Sequence, residues 1–299
     1  MSPHRSWPAR ILAAAAVVAL AATVGPEASA LTAPSGAVTV APVVVPTAAL
    51  PYSAAPPAGI TCRTLVAPSV TYSCVIGRSV GGRAIVATRQ GNPSSARVLV
   101  VNGQMHGEEW PGTLVVDQIR ALGIRGSTTY QIRTVRTLNP DGGRIGRRRN
   151  NHGVDLNRNF PNKFLRMSDS GPRALSEPES RAMVRFLTWV QPDLVISLHG
   201  FSTSVDTTGG GARAAWARAF SRAANITPAK AVSCSGPCDG NMTDWYSATS
   251  RVHGVAFTVE MPRSSKVVRR CAVPGRATSL STIRCAAYAA LYLAARLPA

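Results

Sequence analysis

The chain of 299 residues, 45% of them hydrophobic, is long enough for one large domain with a substantial core. Its formal charge of +19 suits contact with anionic cell-wall polymers, membrane surfaces or nucleic acid, but arginine outnumbers lysine 30 to 3, a bias that GC-rich coding also produces. The basic residues are spread widely apart from Arg144 and residues 147–149. No aromatic-interleaved basic motif of the single-strand-binding kind occurs, so nucleic acid is not expected as a partner.

Residues 1–30 read as a secretory signal peptide. Arg5 and Arg10 precede an apolar run over residues 11–24, and Gly25 to Ala30 supplies small residues for cleavage. That run has 14 residues, short for a spanning helix, and no later segment reaches its length. A secreted, extracellular protein with no membrane span is expected. Residues 31–59 are rich in Pro, Ala and Val and carry no charge, which predicts an extended tether or short propeptide. Residues 60–299 remain as the folded domain.

Six cysteines, at 62, 74, 234, 238, 271 and 285, favour disulfides in an exported chain. Sequence order suggests Cys62–Cys74, Cys234–Cys238 and Cys271–Cys285, although any of the other connectivities is open. Cysteine zinc binding competes, but no C-x-x-C pair occurs.

Taken in order, residues 62–90 predict β-structure with a turn at Gly81-Gly82. Residues 97–101 predict a buried strand that leads into the loop of His106, Glu108 and Glu109. Pro111–Leu122 predicts a helix opened by its proline. Residues 130–138 predict a strand ending in Asn139-Pro140-Asp141-Gly142, a turn signal. A long Arg- and Asn-rich loop runs from there to Pro161. Ser176-Glu177-Pro178-Glu179 has capping-box form and starts an amphipathic helix to about residue 190. Residues 193–198 predict a strand delivering His199, 213–224 a helix, 255–259 a strand delivering Glu260, and 279–297 an Ala-rich helix. Alternating strands and helices imply an α/β fold, a mixed, mostly parallel central sheet flanked by helices, with its chemistry at the strand C-terminal ends.

Three predicted strands thus end at His106/Glu109, His199 and Glu260. Two histidines and a glutamate suit a catalytic zinc with one position open to water, and Glu260 is then free to act as a base. Each residue also has a plainer reading: His199 as a satisfied strand-end histidine, Glu260 as a salt-bridge partner, and His152 and His253 as polar loop residues. Residues 147–149 alone read as a solvated basic run.

The chain resembles the zinc carboxypeptidase family, the carboxypeptidase A-like metallopeptidases. The resemblance rests on His106-Gly107-Glu108-Glu109, Asn139 to Gly142, Arg148-Arg149-Asn150, Gly153-Val154-Asp155-Leu156-Asn157-Arg158-Asn159-Phe160-Pro161, Leu198-His199, Asp244-Trp245 and Phe257 to Glu260. These pieces stand in family order over roughly residues 75–295, and the block from Asn139 to Pro161 and the Ser176 helix start are most similar to the bacterial branch containing murein tripeptide amidase. The resemblance implies an α/β/α sandwich and one Zn2+ per chain, bound by His106, Glu109 and His199. It implies that Asp155 orients His106, that Arg148 stabilises the tetrahedral oxyanion, and that Asn157 and Arg158 grip a substrate carboxylate. Glu260 would deprotonate the zinc-activated water and pass the proton to the leaving nitrogen.

Two departures bear on substrate. Gly236 stands where digestive members carry a mobile tyrosine, and Tyr246 is out of register to replace it. Glu108 stands where those members carry an arginine; it is expected either to meet a substrate ammonium, such as that of diaminopimelate, or to be an exposed loop acid. Thr243 is implied as the floor of the specificity pocket. Residues 31–59 are too short for the folded inhibitory prodomain of digestive relatives. The expectation is a secreted, monomeric metallocarboxypeptidase acting on peptide or murein-peptide substrates. Its alternatives are a murein peptide amidase cleaving γ-D-glutamyl–diaminopimelate and, more remotely, a non-catalytic cell-wall-binding module.

Overall fold

The computed structural model describes residues 55–65, 72–124, 129–229, 239–264, 267–268, 271 and 280–298. The expected signal peptide, nearly all of the 31–59 tether, the Cys234–Cys238 loop and Gly236 lie outside the described residues.

The sheet begins as an antiparallel meander of β1 (Thr61–Thr64), β2 (Tyr72–Arg78) and β3 (Ala84–Gly91). Between β2 and β3 the predicted Gly81-Gly82 turn forms, closed by Gly82 N–H donating to Ser79 O at 2.9 Å. The inner strands are β4 (Val98–Asn102), β5 (Gln131–Val135), β6 (Leu194–Gly200) and β9 (Val255–Met261), with β7 (Ser204–Asp206) and β8 (Thr227–Ala229) at one edge. Among the described residues the order is β1-β2-β3-β5-β4-β6-β9-β7-β8. Parallel pairing runs through β5, β4, β6 and β9, while β3–β5 and β7–β9 are antiparallel. The sheet is therefore mixed, and its parallel part is the centre.

Strand alternation separates two apolar layers. Leu99, Val101, Ile196, Leu198, Phe257 and Val259 face α1 (Pro111–Leu122), α4 (Gly211–Ala224) and α6 (Thr282–Ala294). Val98, Val100, Val195 and Ala256 face α3 (Pro178–Val190) and α5 (Met242–Thr249). Asn102, Ser197, His199, Thr258 and Glu260 continue this second face at the strands' C-terminal ends. The core on that side thus turns polar just where the parallel strands stop.

Two expectations need correction. Asn139 to Gly142 does not end in a simple turn: it opens the short helix α2 (Pro140–Ile145), because Asn139 Oδ1 accepts Gly142 N–H at 2.9 Å and Pro140 has no N–H to satisfy. The capping box at Ser176 does not form. Glu177 stands at the N-cap position of α3 without a side-chain cap bond; Ser176 Oγ donates to its carboxylate at 2.7 Å, and Glu179 accepts Val80 N–H at 3.0 Å. Both carboxylates are drawn into tertiary contacts that outweigh the local cap. The disulfides Cys62–Cys74 and Cys271–Cys285 are formed as expected, the first across the β1–β2 ladder and the second onto α6.

One close approach sets the entry to the site. A side chain on Gly107 would place its Cβ 2.1 Å from the Gly142 carbonyl carbon and 2.5 Å from Arg147 O. Only glycine lets the loop after β4 lie flat on the α2 region, where Gly107 N–H donates to Arg148 O at 3.2 Å.

Candidate metal centre

The parallel strands β4, β6 and β9 lie side by side, and their C-terminal ends carry the expected residues. His106 and Glu109 lie in the loop after β4, and His199 and Glu260 are directly opposed in the β6–β9 register. His106, Glu109 and His199 are each about 2–3% exposed, so what faces them inside the protein decides their chemistry.

Their donor atoms converge. His106 Nδ1 lies 2.9 Å from Glu109 Oε2, His199 Nδ1 lies 3.1 Å from the same oxygen, and the two Nδ1 atoms are 3.3 Å apart. The far nitrogens are engaged elsewhere: His106 Nε2 with Asp155 Oδ1 at 2.9 Å, and His199 Nε2 with Ser197 Oγ at 3.1 Å. Donating those two N–H groups outward leaves both Nδ1 lone pairs aimed inward at a carboxylate oxygen. Three acceptors then meet with no donor between them, and Glu109 Oε2 is buried without a hydrogen-bond partner. Separations near 3 Å are those expected between ligands of a tetrahedral ion bound at roughly 2.0–2.1 Å. The residues present therefore fit a zinc ion held by His106, Glu109 and His199.

Without a cation, the surrounding carboxylates instead favour a proton on His106, in the place that a bound metal ion would take. Burial works against the His106 imidazolium, yet Asp155 and Glu109 hold its pKa up at about 9. Burial likewise favours the neutral acid at Glu109, but His106 and His199 bring it down to about 2. Asp155 is also burdened by burial, and His106 and Arg148 keep it well below the ordinary carboxylate range. Glu260 behaves differently. Burial pushes its carboxyl up, and the charge of Glu109 adds to this while the nearby cations only partly offset it.

Arg148 closes the rim. Its Nε donates to Asp155 Oδ2 at 3.0 Å and its NH1 reaches Glu109 Oε1 at 3.3 Å, with the side chain 39% exposed toward solvent. Glu108 Oε1 lies 3.9 Å from the same guanidinium. Asp155 also caps the turn Leu156–Arg158 by accepting Asn157 N–H at 2.9 Å, which ties the metal region to the segment carrying Asn157 and Arg158. Asn157 Oδ1 accepts Met242 N–H at 3.1 Å, and Arg158 NH1 donates back to Asn157 O at 2.9 Å. Thr243, in the first turn of α5, is buried and donates to Asn241 Oδ1 at 3.1 Å, with Thr258 Oγ1 at 3.5 Å. Tyr246 is a core residue whose hydroxyl donates to Pro192 O, so it does not substitute for a mobile tyrosine.

Some neighbours escaped the sequence reading. Ser197 holds His199 by its outer nitrogen; the signal was its position two residues before His199, on the same strand face. Arg213, nearly buried, bridges Asp206 and Asp244 and so fastens the start of α5 to β7. No local pattern around Arg213 announces two partners separated by 38 residues of chain.

Fold and donor set together define a metal-dependent hydrolase built on an α/β/α sandwich. The chain belongs to the zinc carboxypeptidase family, which it matches over residues 63–274. It is 31% identical over 140 residues to murein peptide amidase A of Escherichia coli strain K12, covering 41% of this chain and 57% of that protein. The chain thus spans little more than half the length of that curated relative. It is 28% identical over 139 residues to carboxypeptidase SOL1 of Arabidopsis thaliana, covering 42% of this chain and 28% of that protein. Among solved structures, it is similar in fold to murein-tripeptide amidase MpaA from Escherichia coli O157, with TM-score 0.53 and 22% identity over 64% of this chain and 84% of that one. It is similar also to carboxypeptidase A from Helicoverpa armigera, with TM-score 0.57 and 19% identity over 77% of this chain and 68% of that one.

Proposed function

We propose that this protein is an exported metallocarboxypeptidase that hydrolyses an amide bond next to a free carboxylate. The observation that carries the reading is the convergence of His106, Glu109 and His199 beside Glu260, with Arg148 at the rim. Two disulfides among the described residues support export, as do the basic start and apolar run of residues 1–30.

A zinc ion held there supplies Lewis-acid polarisation of the scissile carbonyl and lowers the pKa of the attacking water. The chain's own residues do the rest. Asp155 and Ser197 fix the tautomers of His106 and His199, so that their Nδ1 atoms face inward. Glu260 takes a proton from the water and delivers it to the leaving nitrogen. Arg148 donates to the oxyanion that develops at the carbonyl oxygen, and its existing bonds to Asp155 and Glu109 hold it at the rim. Arg158 and Asn157 receive the substrate carboxylate, for which a guanidinium fork is suited.

A second reading makes the substrate a murein peptide, cut at the γ-D-glutamyl–diaminopimelate bond. It is favoured by the 31% identity to murein peptide amidase A and by Glu108, whose half-exposed carboxylate stands at the rim where an ammonium would be met. Mass spectrometry of products from a mixed panel of murein tripeptide and ordinary C-terminal peptides separates the two. Release of C-terminal residues from ordinary peptides supports the first reading, and selective cleavage of the murein peptide the second. Glu108→Gln tests the ammonium contact: an unchanged preference between the two substrate classes removes Glu108 from recognition. Near-stoichiometric zinc that is lost in His199→Ala supports the enzyme over a non-catalytic cell-wall-binding module.

A further inference from the structure

Residues between 152 and 177 line a cleft of about 700 Å3 that the proposed hydrolysis does not use, among them His152, Val154, Arg166, Met167, Arg173 and Glu177. Its charge is one-sided. Glu177 is the acidic residue of the lining, and it is already engaged. Its Oε2 accepts from Asn150 Nδ2 at 2.7 Å and meets His152 Nδ1 at 2.8 Å, and its Oε1 accepts from Ser176 Oγ at 2.7 Å. Arg166 and Arg173 are exposed, and among the described residues neither guanidinium has an ion-pair or hydrogen-bond partner. Asp169, between them in sequence, is taken by Arg149 at 2.9 Å.

The wall is built rather than loose. Asn159, with no exposed surface, directs its Nδ2 at Ser170 O, Arg173 O and Ser176 Oγ over 2.8–3.1 Å, while its Oδ1 accepts Glu177 N–H at 3.2 Å. Gly171 turns the chain at φ +81°, and a Cβ there would lie 2.3 Å from Ser176 Oγ. Because the wall is preformed, ordering on taking up an anion is confined largely to the two arginine side chains. Guanidinium forks match phosphate and carboxylate oxygens. The lining contains no Phe, Tyr or Trp, and its one aromatic ring, His152, is tied to Glu177, so it lacks the row of aromatic platforms on which successive nucleic-acid bases stack.

We propose that this cleft is an exosite for a polyanionic chain without bases, of the polyol-phosphate kind, gripped by Arg166 and Arg173. The cleft borders Val154, the residue before Asp155, so a chain held there lies beside the segment that also carries Asn157 and Arg158. In an exported protein such a chain is a wall polymer; that identification rests on the export reading, whereas the anion site itself does not.

The test is a binding titration of the full-length protein with a short glycerol-phosphate oligomer, in parallel with oligo-glutamate and a single-stranded oligonucleotide of matched charge. Three double variants are compared: Arg166→Ser/Arg173→Ser, the charge-keeping Arg166→Lys/Arg173→Lys, and Arg218→Ser/Arg222→Ser, which removes the same charge from the exposed face of α4. The cleft serine variant is expected to bind the phosphate oligomer about tenfold or more weakly, with a salt slope shallower by roughly two counterions. The α4 variant stays within about threefold and the lysine variant falls between, as loss of fork geometry without loss of charge predicts. Preferred binding of oligo-glutamate, with the same dependence on Arg166 and Arg173, reassigns the ligand to a polycarboxylate and overturns the phosphate assignment. Equal loss in the cleft and α4 serine variants, or tighter binding of the oligonucleotide, overturns the exosite. Unchanged hydrolysis by the cleft variants keeps the result separate from the catalytic reading.

Discussion

His106 meets Asp155 through its Nε2 at 2.9 Å, and this single bond decides which imidazole nitrogen faces Glu109 and His199. With the proton held on Nε2, the Nδ1 lone pair is available for a cation; the opposite tautomer would present an N–H to it. Asp155→Asn is isosteric but loses the charge and allows an amide donor to face the ring. Its zinc affinity is expected to fall about 10–100-fold, the usual range for the loss of such an orienting carboxylate. Competition against a chromophoric chelator measures this, and an affinity within about threefold of the parent would remove Asp155 from orienting the ligand.

Glu260 is separable from metal binding because it lies on β9, opposite His199, and supplies none of the three converging atoms. Glu260→Gln keeps the volume and a carbonyl-type oxygen but cannot accept the water proton. The expected result is unchanged zinc content with kcat lower by about 10²–10⁴-fold and KM little altered. Hydrolysis at the parent rate with zinc still bound would exclude Glu260 as the base.

Much of this arrangement could be read without coordinates. His106, Glu109, His199 and Glu260 follow short β-branched runs, and parallel strands gather whatever follows them at one edge. Local chemistry also marked Pro111 as a helix start and Cys62 and Cys74 as partners. What stayed hidden depended on contacts distant in sequence. Glu177 and Glu179 looked like parts of a capping box, but Asn150 and Val80 claim them. The three-residue strands β7 and β8 have too little pattern to announce themselves, and α5 is an eight-residue helix whose start depends on Asn241 accepting Asp244 N–H and on Asn157 accepting Met242 N–H. Ser197 was visible only as a polar interruption in an apolar strand.

Zinc should stabilise the fold as well as serve the reaction. Without a cation, only a proton on His106 holds Glu109 Oε2 and the two imidazoles together, and a metal ion joins all three donors at once. Binding to the folded form alone contributes about 3–4 kcal/mol when free zinc is roughly 100–1,000 times Kd. Chelation is therefore expected to lower Tm by several degrees, reversed by added zinc. His199→Ala should bind zinc weakly and lose most of that response. Equal zinc-dependent shifts in parent and His199→Ala would place the stabilising ion elsewhere.

A pH effect on stability is expected from the opposite edge of the sheet. Asp193 precedes β6 and sits between β4 and β9: its N–H donates to Val98 O, its carbonyl accepts Val255 N–H, and its Oδ2 accepts Val98 N–H at 2.7 Å. Burial pushes its carboxyl up to about 6, because the Val98 hydrogen bond and Arg97 only partly offset the loss of solvation. The unfolded chain has the ordinary value near 4. Between roughly pH 4 and 6 the folded state therefore holds more protons than the unfolded one, and stability falls as pH rises through that window. Asp193→Asn can still accept Val98 N–H and carries no charge at any pH. Relative to the parent it is expected to gain about 1–3 kcal/mol at pH 7.5, with the difference shrinking toward zero by about pH 4. Urea unfolding of both proteins at several pH values reads this directly. Because Asp193 lies at the strand N-termini, away from the metal ligands, kcat should be the same in both. A stability difference independent of pH would show that ionisation of Asp193 is not its source.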